Sequence, residues 1–595
     1  MNVPMSKVLL FCLDTDRERT LETLRDLGVL HVTATHPPAE SAIEPVRQRL
    51  GRIHRVLDAL PKDVPNSASR PDESAEVLLD KADALLQQRK AAADALERIR
   101  AELRRLEPLG DFSPAGLANL EHAGLPVAIY QAPVKTPLVA PKTTVLTVVG
   151  RDRNMVYFAV VGPHEPNPRW ERFRMPERAP AEWRAEAAAR ESEIANVEAD
   201  LRRLAAARPA LEVLKTQTRE ALDFLEVREG MGHARRVAYL KGFCPTENLP
   251  ALRRAAATHG WGLAVSEPDD SDPVPTLVRN PSWVRPIRAV FQFIGLLNGY
   301  GEPDISAIFM LFFTLFVAML IGDAGYGAVI LILAFLCRRK MASSPSTLRL
   351  FYTLGSATLG WGLLTANYFG VDLSGSLPSV PYLTDAAQKD DNLKYLCFLI
   401  GAVHLTIAHV WTGLRAIRTW QVLAEIGRIL VVWSMFFLAK LLVLNHPIST
   451  RAVAAMFGVG LTLIVLFMTP LRKFKTEWYN HVMLPLTIIG NFVDVVSYIR
   501  LFAVGFAGVA VAESFNKMAL SMGAGSLGGG IAAVLVLLVG HGLNLALSAM
   551  AVIVHGVRLN TLEFSQHMGM QWTGIPYHPF ARLDRPETIA GERCR

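Results

Sequence analysis

Five polar residues near the carboxyl end of the chain recur at helical spacing inside an otherwise apolar run. At about 100° per residue they share an arc of roughly 100° on one helix face, while the opposite faces carry Leu, Val, Ala and Met. Hydrogen-bonded helix packing is one interpretation. It is the simpler one for the amide of Asn544 or the hydroxyl of Ser548 taken alone. Two imidazoles and a guanidinium on the same stripe favour a water-lined, proton-accessible path. The residues of this stripe are His541, Asn544, Ser548, His555 and Arg558.

A second cation lies inside the preceding apolar run. Arg500 is about midway along that run, where a guanidinium costs at least roughly 2.5–3.5 kcal/mol on insertion scales. Either this side chain reaches an interface or ties two helices together, or it is a fixed cation that faces an ion path or a partner's carboxylate. Asp494 and Glu513 in the same run could be half-channel carboxylates, but each could equally be a cap or an interface group.

Long apolar runs in the second half of the chain predict a membrane region made of helices. The first run is about 33 residues, too long for one ordinary span, and Gly322–Gly327 with Asp323 interrupts it, so we expect two short helices there. The last two runs are about 32–34 residues each and predict helices that tilt steeply or protrude. The runs are 305–337, 348–370, 395–411, 422–444, 453–470, 484–515 and 531–564.

The charges between these runs predict their orientation, because cytoplasmic loops carry an excess of Lys and Arg. The basic clusters 338–340, 415–418 and 472–475 should be cytoplasmic, and the acidic loop 371–391 should be outside. The first residues contain only a short apolar stretch, which is too short for a signal peptide and predicts a cytosolic amino-terminal half. Successive loops then lie on alternating sides of the membrane only if the run 305–337 crosses the membrane twice. We therefore predict eight membrane helices with both termini cytoplasmic.

The composition excludes several classes of protein. The chain has 595 residues, of which 51% are apolar and 20% charged, and its mean hydropathy is +0.24. A purely soluble enzyme is excluded. The net charge of +7 is modest and spread along the chain, so it does not indicate nucleic acid. The five cysteines are isolated, which argues against a disulfide framework or a metal cluster. Without a P-loop, a Gly-x-Ser-x-Gly elbow or a His-Glu-x-x-His helix, we predict no cofactor.

The polar half of the chain predicts two α/β lobes and the arms that join them. Strand and helix patterns over 8–33 and 238–259 indicate one lobe, and alternation over 125–163 indicates a second with a small sheet. Between them, apolar residues recur in steps of three and four, as in a coiled-coil seam, over 43–60, 92–106 and 194–214. The simplest interpretation is that these arms only space the lobes.

The predicted fold class is therefore multidomain. N-terminal α/β lobes joined by antiparallel coiled-coil arms occupy residues 1–285. An all-α membrane domain of about eight transmembrane helices, with two long tilted C-terminal helices, occupies residues 286–595.

Together these features resemble the membrane-embedded stator subunit of V-type and A-type rotary ATPases, known as subunit a or subunit I. The resemblance covers essentially the whole chain. Its most specific part is the pair of arginine motifs near the carboxyl end. The segments that carry it are 241–245, 300–304, 322–327, 360–370, 497–501, 540–541, 554–559, 563–564 and 579–580.

The resemblance implies a non-catalytic subunit that holds two offset aqueous half-channels for H⁺ or Na⁺ against a rotating ring. Arg500 would draw the ion from the ring carboxylate and prevent a direct leak, and Arg558 would be its partner on the neighbouring helix. One departure is Gly508, which stands where eukaryotic relatives tend to have histidine. The chain is much shorter than eukaryotic forms, which suggests a prokaryotic member in the inner membrane.

The resemblance also implies the partners of the chain. These are the proteolipid c-ring, the peripheral-stalk subunits, a central-stalk or collar subunit and the lipid membrane. The lobes and arms would form the collar that meets the peripheral stalks. No nucleic acid is expected.

Two rival hypotheses come from other classes of protein. A secondary ion-coupled transporter could place a midplane site at the broken segment 322–327. It would leave the heptad arms unexplained, and the two halves of the membrane region show no repeat. A purely structural membrane anchor would explain neither Arg500 nor the polar stripe. Purification discriminates among these hypotheses, because a stator subunit should be isolated together with a ring proteolipid and soluble ATPase subunits.

Overall fold

The structure is a computed structural model in which residues 2–61, 73–139, 144–163, 169–269, 271–376, 379–385, 387–470, 474–522 and 527–582 are described. Helices dominate both halves. In chain order they are α1 (Arg17–Leu27), α2 (Glu40–Ala59), α3 (Ala75–Leu106), α4 (Pro114–His122), α5 (Pro180–Leu204), α6 (Arg208–Glu229), α7 (Leu249–His259), α8 (Ile287–Ile294), α9 (Ser306–Ile321), α10 (Ala324–Cys337), α11 (Pro345–Thr365), α12 (Pro381–Thr384), α13 (Lys389–Arg415), α14 (Gln421–Leu444), α15 (Thr450–Phe467), α16 (Phe474–Glu477), α17 (Tyr479–Ser497), α18 (Ile499–Ser521), α19 (Leu527–Ala551) and α20 (Ser565–His567).

The strands are short and belong mostly to the polar half. They are β1 (Met5–Leu13), β2 (His31–Thr33), β3 (Val127–Pro133), β4 (Val145–Arg151), β5 (Met155–Val161), β6 (Glu171–Arg172), β7 (Gly232–Ala234), β8 (Val237–Pro245), β9 (Gly262–Ser266), β10 (Pro275–Thr276), β11 (Asn367–Tyr368), β12 (Val371–Asp372) and β13 (Ile575–Pro576). Two π-helical stretches, Val552–Gly556 and Leu559–Phe564, lie between α19 and α20.

The first lobe is an antiparallel sheet built from both ends of the polar half. In the described residues its strands run in the order β2–β8–β1–β9, and β7 pairs with β8. Leu10 lies opposite Leu240 on β8 and Leu263 on β9. Because side chains alternate across a strand, β1 presents one buried face, which α1 and α7 cover through Leu21 and Leu252. This is the α/β lobe expected from the sequence pattern.

Two pairs of long helices connect this lobe to the second one. α3 packs along α5, and α2 packs along α6. Leu79 shares a buried cluster with Leu201, whereas Leu96 shares one with Ala187, so α3 and α5 run antiparallel. The apolar residues at heptad spacing therefore face one another between the helices. Supercoiling of these arms stays a prediction.

The second lobe is a small sheet at the far end of the arms. Its strands run in the order β4–β5–β3–β6 within the described residues. One face is closed by an aromatic cluster, in which Trp170 packs against Tyr130 and Phe158 with ring centroids 5.8 and 5.0 Å away. Tyr157 packs edge-on against Phe173 on the other face. Aromatic burial of this kind stabilises a sheet that is too small for a large aliphatic core.

The apolar half contains several helices that could cross a membrane. Five in the described chain are long and apolar enough, or six if the bent pair α9 and α10 is counted as one span. The predicted number of eight spans stays a prediction. The two carboxyl-terminal stretches, 479–521 and 527–567, have 43 and 41 residues and exceed the expected lengths. Part of the predicted basic cluster 472–475 lies outside the described residues.

The first apolar run is broken at Gly322 and Asp323, where the sequence predicts two short helices. α9 and α10 meet there at a bend of 119°. Gly322 ends α9 with a φ of 67°, a conformation that glycine adopts without steric cost. Asp323 accepts the Tyr326 N–H at 3.1 Å as the cap of α10, and its second oxygen accepts the Gly370 N–H at 2.8 Å. This buried carboxylate therefore stabilises the break through backbone hydrogen bonds.

The charged linker between the first lobe and the membrane helices is held by Asp272. This carboxylate pairs with Lys7 at 2.7 Å and with Lys241 at 3.0 Å. The hydrogen bond from Lys7, with those from the Asp269 backbone and from Lys241, holds the pKa of Asp272 well below its usual range. A carboxyl with a lowered pKa stabilises the folded lobe above its unfolded pKa, and this contribution is lost as the pH falls toward the folded pKa.

After the last membrane helix the chain returns to the first lobe. β13 pairs in parallel with β10. Phe580 is buried in the lobe core, and its N–H donates to the Leu30 carbonyl at 2.8 Å. The Tyr577 hydroxyl donates to the Val29 carbonyl at 2.7 Å, and burial raises the pKa of this tyrosine. Residues 575–582 thus attach the end of the membrane bundle to the lobe.

The attachment predicts a stability effect at Phe580. Phe580→Ala is expected to destabilise the first lobe by about 3–5 kcal/mol, because it removes a buried ring and leaves a cavity. Phe293→Ala is the matched control, since Phe293 is 76% exposed and its loss should change little. The measurement is the rate at which trypsin cuts residues 1–285 in purified membranes as the temperature rises. Equal cleavage rates for the two variants would show that residues 575–582 do not stabilise the lobe.

Candidate functional site

Arg500 is the second residue of α18 and follows the turn at Tyr498 that separates α18 from α17. Its Nε donates to the Ser497 carbonyl at 2.8 Å. Its Nη2 forms an ion pair with Glu563, which belongs to the π-helical stretch 559–564. A charge in low-polarity surroundings is tolerated when it is paired. Glu563 therefore stabilises the guanidinium between the two carboxyl-terminal helices.

Glu563 lies between two arginines. Its Oε1 also lies 3.5 Å from Arg558 Nε, and its side chain is 5% exposed whereas that of Arg558 is 55% exposed. Its Oε2 has no hydrogen-bond partner among the described residues. The sequence places Glu563 in a segment that carries the family resemblance but predicts no role for it, and residues five apart do not face each other on an α-helix. π-Helical bonding from i to i+5 places them one above the other, and such segments often occur at functional sites.

The turn before Arg500 is held by Tyr498, which is fully buried. Its hydroxyl lies 2.8 Å from Nδ1 of His404. The tyrosine ring packs where Gly401 has no side chain, since a Cβ there would lie 2.6 Å from the ring. His404 is in turn stacked between Phe312 and Phe564, at centroid distances of 3.9 and 4.3 Å. Three other parts of the bundle therefore fix the turn that presents the arginine.

The first part of the polar stripe forms a hydrogen-bonded network with α10. The Tyr326 hydroxyl lies 2.8 Å from His541 Nδ1 and accepts the Asn544 amide at 2.9 Å. His541 Nε2 lies 3.1 Å from Asn516 Oδ1 on α18. Ser548 is buried on the same helix face. We call these five residues the Tyr326 network. Tyr326 and Asn516 were not among the residues predicted from the sequence.

Gly508 faces this network from α18. Its carbonyl accepts the Asn544 amide at 2.8 Å. A Cβ at this position would lie 3.7 Å from Asn544 Oδ1 and 3.9 Å from Ser548 Oγ, at ordinary contact distance. A larger side chain at this position would therefore project onto the stripe, and the amide of Asn544 occupies that space in this chain.

The second part of the stripe requires a correction to the predicted geometry. His555 and Arg558 lie beyond Ala551, where the chain becomes π-helical. The wider π turn does not advance by 100° per residue, so the predicted single arc does not extend from 541 to 558. His555 is half-buried, and its Nδ1 has no partner among the described residues.

A second polar network lies on the opposite side of the Arg500 ion pair. Asp494 Oδ2 lies 3.1 Å from His567 Nε2, and His567 Nδ1 lies 2.9 Å from His409 Nε2. His409 Nδ1 lies 2.9 Å from Glu425 Oε2, and Glu425 pairs with Arg428. We call these five residues the Asp494 network. A cavity of about 480 Å³ adjoins it, lined in part by Asp494, His567 and Arg428.

Sequence reasoning identified only Asp494 in this network. His409 and Glu425 lie 16 positions apart on different helices, and His567 follows the last apolar run. The available signal was Glu425 and Arg428, whose spacing of three within an apolar run permits an ion pair on one helix face.

Glu513 takes part in neither network. Its carboxylate is exposed and lies 2.7 Å from Lys517, one turn further along the same helix. Among the described residues, no group of His, Cys, Asp and Glu side chains could hold a metal ion, and the four described cysteines are free. Cys594 lies outside the described residues.

The order of these groups along the chain places the ion pair between the two networks. The final stretch carries His541 first, then Glu563 and then His567, whereas the preceding stretch runs from Asp494 through Arg500 to Asn516. The two stretches pack against each other in opposite directions, since Arg500 meets Glu563 while Asn516 meets His541. These features define a polytopic helical membrane protein with paired charges in its core, attached to a two-lobed polar half.

Comparison with known proteins identifies the family. The chain is 31% identical to "V-type ATP synthase subunit I 1" of Treponema pallidum (strain Nichols), over 98% of this chain and 100% of that protein. It is 27% identical to "V-type ATP synthase subunit I" of Borreliella burgdorferi over the same shares of both chains. It is 24% identical to "A-type ATP synthase subunit I" of Methanothermobacter thermautotrophicus, over 60% of this chain and 53% of that one.

Among solved structures, it is similar to the cytoplasmic N-terminal domain of subunit I, homolog of subunit a, of V-ATPase. That match has 16% identity and a TM-score of 0.22, and it covers 44% of this chain and 100% of that chain. No protein-family model matches the chain. From its full-length relatives, the chain belongs to the V-type and A-type ATP synthase subunit I family, which confirms the resemblance noted in the sequence. It is a membrane-embedded, non-catalytic subunit of the ATPase complex.

Proposed function

We propose that this chain is the stator that forms two half-channels for H⁺ or Na⁺ beside a rotating proteolipid ring, coupling ion passage to ATP hydrolysis or synthesis. The observation that carries the proposal is the ion pair of Arg500 with the buried Glu563, situated between two separate polar networks. Two polar paths that end at a fixed cation, rather than joining, permit exchange with a moving carboxylate but oppose a direct leak.

The Tyr326 network lines the half-channel on the side away from the lobes. The network offers the hydroxyl groups of Tyr326 and Ser548, one imidazole and two amides. These groups provide hydrogen-bond donors and acceptors, which can hold a chain of water molecules or pass a proton. The Asp494 network and its adjoining cavity line the half-channel on the lobe side. His555 and Arg558 lie between the first network and Glu563, so they belong to the end of that path. Glu513 is not part of either path in this proposal.

Arg500 acts as the counter-charge for each ring carboxylate that arrives. A guanidinium remains protonated at any working pH, and its delocalised, weakly hydrated charge can exchange one carboxylate for another. In the absence of a ring carboxylate, Glu563 holds it. The arrival of the ring group releases Glu563 toward Arg558, whose Nε is already within 3.5 Å.

Residues 286–595 form the translocation domain in this proposal, and residues 1–285 form the collar that meets peripheral-stalk and central-stalk subunits. A transporter site at the broken helix is less well supported, because both oxygens of Asp323 already accept backbone hydrogen bonds. At Gly362 a Cβ would lie 2.0 Å from the Ala324 nitrogen, so the break is tightly packed.

The experiment that tests the proposed function is affinity purification of the tagged chain from its native membrane. A ring proteolipid and soluble ATPase subunits should accompany it, and isolation of the chain alone would contradict the proposal.

The proposal also places the chain in a prokaryotic inner membrane with both termini cytoplasmic, and this topology can be tested. In a background that carries Cys337→Ser and Cys594→Ser, Arg339→Cys should react with an impermeant thiol reagent only from the cytoplasmic side. Asp385→Cys should react only from outside, because α11 lies between the two positions. The measurement is labelling in intact cells and in inverted vesicles. Reaction of both positions from the same side would exclude the eight-helix arrangement.

A further inference from the structure

A groove between α9 and α11 lies apart from both polar networks. Its volume is about 730 Å³, within the roughly 300–1,000 Å³ range of small-molecule sites. The wall from α9 includes Met310, Leu311 and Leu315, and the wall from α11 includes Ala357 and Leu364. The groove lies on helices of the membrane half, so the medium that surrounds its apolar walls is lipid hydrocarbon.

The composition of the groove changes from one end to the other. At the end where α9 and α11 both begin, the lining includes Ser282, Trp283, Arg349 and Tyr352. Trp283 is 59% exposed. Trp and Tyr side chains favour the boundary between hydrocarbon and headgroups, and Arg favours the phosphate region. The opposite end, toward Leu364, is apolar. The groove therefore has the polarity profile of one phospholipid molecule.

The length of the groove matches one leaflet. Arg349 and Leu364 are separated by fifteen residues of α11, or about 22 Å at 1.5 Å per residue. A bilayer measures roughly 40–45 Å including its headgroups, so one leaflet is about 20–22 Å. A lipid with its phosphate beside Arg349 would thus place its acyl chain along the whole groove.

Charge selects the kind of lipid. Arg349 is exposed at the fifth residue of α11, and no carboxylate of the described chain forms an ion pair with it. The connection from α10 to α11 carries Arg338, Arg339 and Lys340 at the same end of the helices. Basic groups at the membrane boundary attract anionic headgroups.

We propose that the groove between α9 and α11 is a binding site for one anionic diacyl phospholipid of the leaflet on the lobe side. Arg349 binds its phosphate, Trp283 and Tyr352 flank the glycerol region, and an acyl chain lies against Leu315, Ala357 and Leu364. The site is independent of the ion path and would remain if the half-channel assignment were wrong.

The test uses the assembled complex and a phosphatidylglycerol that carries a diazirine near the end of one acyl chain. After illumination, mass spectrometry should locate the cross-link within residues 353–364 of α11. Unlabelled phosphatidylglycerol should compete, whereas phosphatidylcholine and inorganic phosphate should not. Arg349→Gln should reduce the cross-link at least fivefold. Arg451→Gln should leave it unchanged, because Arg451 is likewise exposed near the start of a membrane helix, α15, but lies outside the groove.

A further variant tests the apolar part of the site. Ala357→Trp should fill the groove and abolish the cross-link while the complex still assembles with Arg349 intact. Equal labelling of wild type and Arg349→Gln, or equal competition by phosphatidylcholine, would overturn the proposal of an anionic lipid. Competition by inorganic phosphate alone would indicate a free-anion site instead. Absence of labelling in the assembled complex would likewise overturn the proposal.

Discussion

Arg500→Ala and Arg500→Lys are both expected to abolish nearly all ATP-driven ion transport in complexes that still assemble. Alanine removes the counter-charge on which each ring carboxylate depends. Lysine retains a charge, but this charge is compact, strongly hydrated and readily lost on burial. Arg558→Ala should retain partial transport, because Arg558 is largely exposed and lies 3.5 Å from Glu563. The measurement is acidification or Na⁺ uptake by reconstituted vesicles.

A paired substitution separates transport from folding. Arg500→Ala leaves Glu563 as an uncompensated buried charge, and breaking a buried pair in this way destabilises by about 3–5 kcal/mol. Arg500→Ala with Glu563→Gln removes that charge and should recover the lost stability, judged by the temperature at which the complex purified with the ring dissociates, without restoring transport. Normal transport by a fully assembled Arg500→Ala complex would end this interpretation of the mechanism.

Glu563→Gln is expected to slow ion transport about 10- to 100-fold, although glutamine has nearly the same shape. Hydrogen bonds to charged groups are worth about 1.5–3 kcal/mol, and each 1.36 kcal/mol corresponds to a tenfold change in rate. Without the carboxylate, Arg500 has no negatively charged partner between successive ring carboxylates, and it would hold each arriving one too tightly. The initial rate of ion uptake per assembled complex measures this effect.

Glu513→Gln is the matched control for Glu563→Gln. Glu513 is also a glutamate of the two carboxyl-terminal helices, but its carboxylate is exposed and pairs only with Lys517 on the same helix. Exposed ion pairs contribute little, so transport should stay within about twofold of wild type. If the two variants transported ions at the same rate, Glu563 would have no role beyond helix packing.

Several features of this protein follow directly from local sequence. Apolar runs, heptad spacing and strand alternation depend on neighbouring residues, so they predict the lobe strands, the paired helices and the membrane helices. The break at Gly322 and Asp323 is also local, because glycine ends one helix and aspartate caps the next. An arginine in an apolar run is costly wherever the chain folds, so Arg500 was identifiable from its type and position alone.

The partners of these residues depended on the tertiary structure. Glu563 pairs with Arg500, 63 positions away, and it lies near Arg558 because residues 559–564 are π-helical, which the α-helical period could not predict. The Asp494 network joins residues from four separate helices. Residues 575–582 contact the first lobe, where Tyr577 bonds to Val29, more than 540 positions earlier in the chain. Sequence periodicity reports which face of an element is apolar. The pairing of buried charges is decided when the elements pack, because only then must each desolvated charge find a counter-charge.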